Sequence, residues 1–138
     1  MRKHPFVTMI TTAVAVSLLG CAAMEQPKPR AIQPGDLKTL AGVWDGYVIG
    51  PGGSSERGEL TINPDGTYGA RMGAFSSTGV LRVVDGMLVA ESKTTTGGAA
   101  TGPRQSTMML GEQGGTLVLS GRGRGDAGPF SFELKKRK

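Results

Sequence analysis

The chain has 138 residues, of which 23 are glycine, with a single histidine, a single cysteine and a formal net charge of +5. One cysteine excludes an intramolecular disulfide. Four phenylalanines, two tyrosines and one tryptophan are too few to stack nucleic-acid bases along a groove, so no nucleic-acid partner is expected.

In chain order, Met1-Arg2-Lys3-His4 is a short basic segment. Phe6 to Leu19 is an apolar run interrupted only by Thr8, Thr11, Thr12 and Ser17. It is too short to cross a hydrocarbon core, which takes about 20 residues as a helix, and it suits a secretory signal. The run ends in Leu18-Leu19-Gly20-Cys21, which resembles the lipobox of bacterial lipoproteins, although Leu19 stands where a small residue is more usual. The resemblance implies a diacylglyceryl group on the Cys21 sulfur, cleavage before Cys21 and acylation of the new amine. Each buried methylene adds about 0.8 kcal/mol of membrane affinity, so several chains on one residue hold durably. In that family Asp directly after the cysteine favours the inner membrane. Ala22 stands there instead, which implies a lipid-anchored protein of the outer membrane that faces the periplasm.

This divides the chain into a signal peptide (residues 1–20), a lipidated cysteine with an extended tether (21–35) and one domain (36–138). The tether reading rests on three prolines and little apolar content. About 100 residues suffice for one domain with one core. Cleavage removes Arg2 and Lys3, leaving 14 basic residues against 11 acidic ones, net +3. The cations concentrate in Lys135-Lys136-Arg137-Lys138. That tail reads either as a solvated, solubilising end or as a patch attracted to anionic lipid or cell-wall phosphates. Cleavage also removes His4, while lipidation consumes Cys21. Nucleophilic catalysis that needs imidazole or a free thiol is then excluded, as are zinc sites built on His or Cys. A non-catalytic protein with no metal and no cofactor is expected.

Asp36 to Ala41 predicts one or two helical turns, with Asp36 as N-cap and Gly42 as the stop. Beyond it the hydrophobic period is two, punctuated by glycine. Trp44, Gly46 and Val48 share one face of a first strand, and Leu60 and Ile62 one face of the next. Asn63-Pro64-Asp65-Gly66 predicts a tight turn into Thr67–Ala74, where Tyr68, Ala70 and Met72 share a face. Thr78–Val84 turns at Asp85-Gly86 into Met87–Glu91. A Thr/Gly/Ala-rich loop is predicted over Ser92–Pro103. Gln105–Gly111 places Met108 and Leu110 together, and Gly114-Gly115 turns into Thr116–Ser120 with Leu117 and Leu119. A second Gly-rich loop is predicted over Gly121–Pro129, before a last strand with Phe130, Phe132 and Leu134 on one face. Eight short strands at hairpin spacing predict an all-β, eight-stranded antiparallel up-and-down barrel, with a two-sheet sandwich as the alternative.

Gly42-Val43-Trp44, after a helical turn and at the start of the first strand, resembles the G-x-W signature of the calycins (lipocalins, fatty-acid-binding proteins, avidins and some secreted protease inhibitors). The resemblance implies that Trp44 plugs the closed end of a barrel. It also implies a basic residue from the chain's end packed over the indole, with Lys135 or Arg137 in that part. The domain is shorter than a typical lipocalin, and the C-terminal helix of that family is missing.

Gly123-Arg124-Gly125-Asp126-Ala127-Gly128 spells G-x-G-x-x-G. A dinucleotide site needs a helix next, and here Pro129 and a strand follow, so the match is rejected. Arg124-Gly125-Asp126, an adhesion tripeptide elsewhere, reads as ordinary loop sequence. Glu56, Glu59, Asp65 and Glu91 read as solvated strand faces. The remaining candidate site is the barrel interior, whose inward set includes Trp44, Val48, Leu60, Ile62, Tyr68, Met72, Leu81, Met108, Leu119 and Phe132. An eight-stranded barrel is either filled by side chains or holds one small ligand, and the short strands favour filling. The leading expectation is therefore a binding or interaction module anchored to the membrane through lipid on Cys21, with a protein partner. The alternatives are a lipocalin-like carrier of a small apolar ligand and an inhibitor of a secreted hydrolase.

Overall fold

The computed structural model describes residues 26–73, 75–96, 105–125 and 128–138. Cys21 and the apolar leader lie outside the described residues, as does 97–104 of the predicted Thr/Gly/Ala-rich loop. Nine strands carry the fold: β1 (Lys28–Arg30), β2 (Gly42–Ile49), β3 (Ser55–Ile62), β4 (Thr67–Met72), β5 (Phe75–Val84), β6 (Met87–Thr96), β7 (Gln105–Gln113), β8 (Thr116–Gly125) and β9 (Gly128–Lys136). A single-turn helix α1 (Leu37–Leu40) precedes β2. From β2 onward each strand pairs antiparallel with the next, and β9 pairs back onto β2. The result is a closed eight-stranded up-and-down barrel with one extra strand, compatible with a calycin-like domain. Closure pairs every one of the eight strands on both sides, with β1 covering the lower part of β7 that β6 does not reach.

The turns follow from the residues placed in them. Asp85 and Gly86 both adopt positive φ (52° and 76°), as do Gly114 and Gly115 (56° and 78°). Positive φ at both central residues is the type I′ pattern whose twist matches antiparallel strands. In the β3–β4 turn, Asp65 accepts hydrogen bonds from the Thr67 amide (2.9 Å) and the Thr67 hydroxyl (2.6 Å). Those bonds hold the Asp65 carboxyl below its usual range, the side-chain bond from Thr67 contributing most. Gly46 is fixed by steric demand: a Cβ there would meet the carbonyl oxygen of Glu133 on β9. Only glycine lets the two strands come together at that point.

The core occupies the end of the barrel where β2 begins. Trp44, Ile62, Leu81, Leu88, Leu110 and Leu119 fill it, and Leu40 of α1 closes it from below. A second closing residue comes from the segment read as a tether. β1 pairs with β7 along the edge that β6 leaves uncovered, with Lys28 opposite Glu112, Pro29 opposite Gly111 and Arg30 opposite Leu110. Ile32 follows, donates its amide to the Gly86 carbonyl (2.9 Å) and is 1% exposed. From Pro27 onward this stretch packs on the barrel instead of running free as an extended spacer, because Ile32 gains burial only if Lys28–Arg30 is pinned. Other boundaries differ from expectation as well: β5 begins at Phe75 where the pattern predicts Thr78, and β7 runs on to Gln113. β6 continues to Thr96, and β8 with β9 takes up most of Gly121–Pro129, so the second Gly-rich stretch is largely strand.

Candidate functional site

The two ends of the barrel differ in what their strands point inward. At the β2 start, Trp44 is 0% exposed and donates its indole N–H to the Leu40 carbonyl (3.0 Å). Lys136 caps it: Nζ lies 6.0 Å from the ring centroid and donates to the Thr39 carbonyl (2.6 Å). The expected cation over Trp44 is therefore neither Lys135 nor Arg137. Inward residues on β9 are Phe130, Phe132, Leu134 and then Lys136, which is also in register with Trp44. Arg137 points the other way, where its guanidinium binds Asp45 (both contacts 2.7 Å) and Glu59 (3.1 Å) on the outer face. The Asp45 carboxylate, then Glu59, raises the Arg137 pKa above its usual value.

At the other end the inward positions hold small residues. Gly58, Ser77, Ser92, Ser106, Gly121 and Gly123 take places that leucines take below. The Phe132 and Phe130 rings lie over Gly121 and Gly123 at the positions where Cβ atoms would stand. What remains empty is a pouch of about 90 Å³, lined mainly by apolar side chains, beneath the ends of β4, β5 and β6. Of the ten interior candidates, Val48, Leu60, Tyr68, Met72, Met108 and Phe132 line this pouch. Trp44, Ile62, Leu81 and Leu119 pack in the core below it. Ala70, Phe75, Ala90, Phe130 and Leu134 complete its apolar wall, and Gln105 and Arg124 reach it as well.

Besides Glu59, Gln105, Ser106 and Arg124, the wall carries a chain of three hydroxyls. Ser92 lies 3.0 Å from the Tyr68 hydroxyl and 2.8 Å from the Ser77 hydroxyl. Three hydroxyls carry three O–H donors and the two contacts use two of them, so one O–H of the trio is left over. Ser77 and Ser92 escaped sequence reasoning because the expected strands, Thr78–Val84 and Met87–Glu91, stop short of them, although Ser77 keeps the parity of Leu81 and Ser92 that of Leu88 and Ala90.

The acidic candidates do not converge. Glu59 joins Arg137, Asp65 holds its turn, and Glu91 pairs with Arg82 (3.2 Å) across β5 and β6. Among the described residues no three His, Cys, Asp or Glu side chains come together to hold a metal ion. Gly123–Gly125 ends β8 and Gly128 opens β9, so a strand follows the G-x-G-x-x-G segment and no helix end is present for a pyrophosphate. Compared with known proteins, the chain matches no protein family, no curated protein and no solved structure.

Proposed function

We propose that the protein is a cell-envelope lipoprotein, held in the outer membrane by lipid on Cys21, whose barrel is a non-catalytic binding module for a protein partner in the periplasm. The observation that carries this reading is the size of the interior. A pouch of about 90 Å³ accommodates a few waters or a group the size of a short side chain, against the roughly 300–1,000 Å³ of an ordinary ligand pocket. An enclosed lipid-sized cargo does not fit there, which leaves the outer surface and the open-end loops as working parts. Exposed Tyr47 and Ile49 on the outer face of β2, beside the Pro51–Gly53 turn, supply apolar contact area at that end.

A second reading, transport of a small apolar molecule, draws support from the leftover O–H in the pouch wall. Native mass spectrometry of the mature protein, purified from its own membrane, separates the two. An interaction module gives the mass of the lipidated chain alone and forms a discrete crosslinked complex in cells. A small bound molecule lost on denaturation, with no complex, replaces this reading with the carrier. The inhibitor reading loses one of its two arms, since residues from Pro27 onward are packed on the barrel and only an open-end loop is left to reach an active site.

A further inference from the structure

The two ends of the chain arrive at the same end of the barrel, and we infer that this closed end lies on the anionic phospholipid surface of the bilayer that holds Cys21, with the pouch facing away. The inference rests on the lipoprotein reading of Cys21 and adds to it an orientation and a lipid contact.

The first argument is length. The N-terminal segment is fastened where it meets β7. Lys28 pairs with Glu112, next to the last residue of that strand. The Cβ of Pro27 stands 2.8 Å from where a Gly111 Cβ would be, a place only glycine leaves open. Ile32, further along, is locked in the core. Pro27 is thus held against the barrel at the foot of β7. Six residues lead from Cys21 to Pro27, and fully extended chain at about 3.3–3.6 Å per residue reaches roughly 20 Å. The ten residues of β8, rising about 3.3 Å each and tilted about 40°, make the barrel wall about 25 Å tall. Turned over, with its open end on the bilayer, the molecule would hold Pro27 a full wall height from the surface, beyond the reach of the leash. The open end therefore does not rest on the bilayer.

The second argument is charge. Gly111, Val118 and Lys135 follow one another across β7, β8 and β9 in register. Adjacent strands lie about 4.8 Å apart, so Lys135 stands about 10 Å from the point where the leash leaves the barrel. Lys28, Arg30, Lys38, Lys135 and Lys138 are all exposed at this end, and none forms an ion pair among the described residues. Facing them are Asp85 and Glu112, the latter directly opposite Lys28 in register. Asp36 and Asp65 add negative charge at this end as well, since the Gln33 amide (2.9 Å) and Thr67 that bond them are neutral donors, so the cations outnumber the carboxylates narrowly. An anchor that delivers this set of cations to within a Debye length of headgroup phosphates makes a contact that salt screens.

Trp44 is the sole tryptophan and lies at the closed end, so it reports the orientation directly. The full-length chain is expressed in its native membrane, its N-terminal peptide is weighed for acyl groups on Cys21, and the mature protein is reconstituted into two kinds of vesicle. One is phosphatidylcholine alone and the other contains phosphatidylglycerol, both with a trace of dansyl-labelled headgroup. Energy transfer from Trp44 to dansyl is expected to be roughly twofold or more higher in the anionic vesicles. It should fall to the neutral-vesicle level in about 1 M salt, where the Debye length is about 3 Å, and in the variant K28Q/K38Q/K135Q/K138Q. Lys136 and Arg137 are left intact because they hold Trp44 and Asp45. Equal transfer in the two vesicles from an acylated protein overturns the anionic-lipid contact, and transfer in both as low as Trp44 would give from a full wall height above the surface overturns the orientation. Absence of acyl mass on Cys21 overturns the anchor reading and the orientation with it. The salt arm needs no variant, so a misfolded quadruple mutant does not blunt the test.

Discussion

The closed and open ends of this barrel are built from the same strands yet packed by opposite rules. Below, inward positions carry Trp44, Ile62, Leu81, Leu88, Leu110 and Leu119, with Ile32 and Leu40 brought in from outside the barrel as a plug. Above, the same strands turn inward Gly58, Ser77, Ser92, Ser106, Gly121 and Gly123, and the space those residues vacate is only partly refilled by Phe130 and Phe132. Stability and vacancy are thus separated along one axis. A barrel whose interior were filled throughout would have no reason to place a hydroxyl chain near its mouth. One hollow throughout would lack the buried area to stay closed.

Substitutions that attack each end should respond unequally. Trp44→Ala removes the largest buried side chain, its bond to Leu40 and its contact with Lys136. It should cost about 3–5 kcal/mol, a large share of the 5–15 kcal/mol typical of a domain, and chemical denaturation should register this as a much lower midpoint with unchanged slope. Ile32→Ala should cost about 2–5 kcal/mol, although that residue belongs to a segment whose composition reads as a tether. A loss below about 0.5 kcal/mol would show that the plug is not part of the core. A matched pair sharpens the contrast. Leu119→Phe at the closed end should lose about 1–3 kcal/mol by overpacking, whereas Ala70→Val beside the pouch should be neutral within about 1 kcal/mol.

The smallest effect is expected at Asp65, on the exposed β3–β4 turn. Its carboxyl titrates below the ordinary range because Thr67 donates to it. A depressed folded-state pKa gives stability that is complete above about pH 4, where an unperturbed carboxylate is ionised, and that vanishes as pH falls through the lower native value. The stability gap between wild type and Asp65→Ala should therefore be constant near neutrality and narrow in acid. A gap that widens in acid would contradict the assignment.

Eight of the nine strands were legible because alternation and turn chemistry agreed at nearly every hairpin. Asp85-Gly86 and Gly114-Gly115 demand positive φ, and the apolar residues between them keep a period of two. Trp44 was legible for the same reason, as a large residue in phase with Val48. The cation above it was legible in principle, since Lys136 shares the parity of Phe130, Phe132 and Leu134, but the clustering of four cations hides which of them turns inward. β1 was not legible. Three residues including Pro29 show no alternation, proline is tolerated there only because the strand lies on an edge, and Ile32 is a lone apolar residue whose partners are about 50 to 80 positions away. The pouch escaped for a different reason: Ser77 and Ser92 keep the inward parity of their strands, but as small polar residues just beyond the ends of the expected strands they read as loop and not as wall.

The central claim is that the two ends serve different purposes, the closed end facing lipid and the open end facing a protein. The most direct test places a photo-crosslinking amino acid in the lipidated protein in cells, at exposed Ser54 beside the open-end turn and, separately, at exposed Lys38 in α1. Ser54 is expected to yield a discrete protein adduct and Lys38 a lipid adduct. A protein adduct at Lys38 with only lipid at Ser54 would contradict the account.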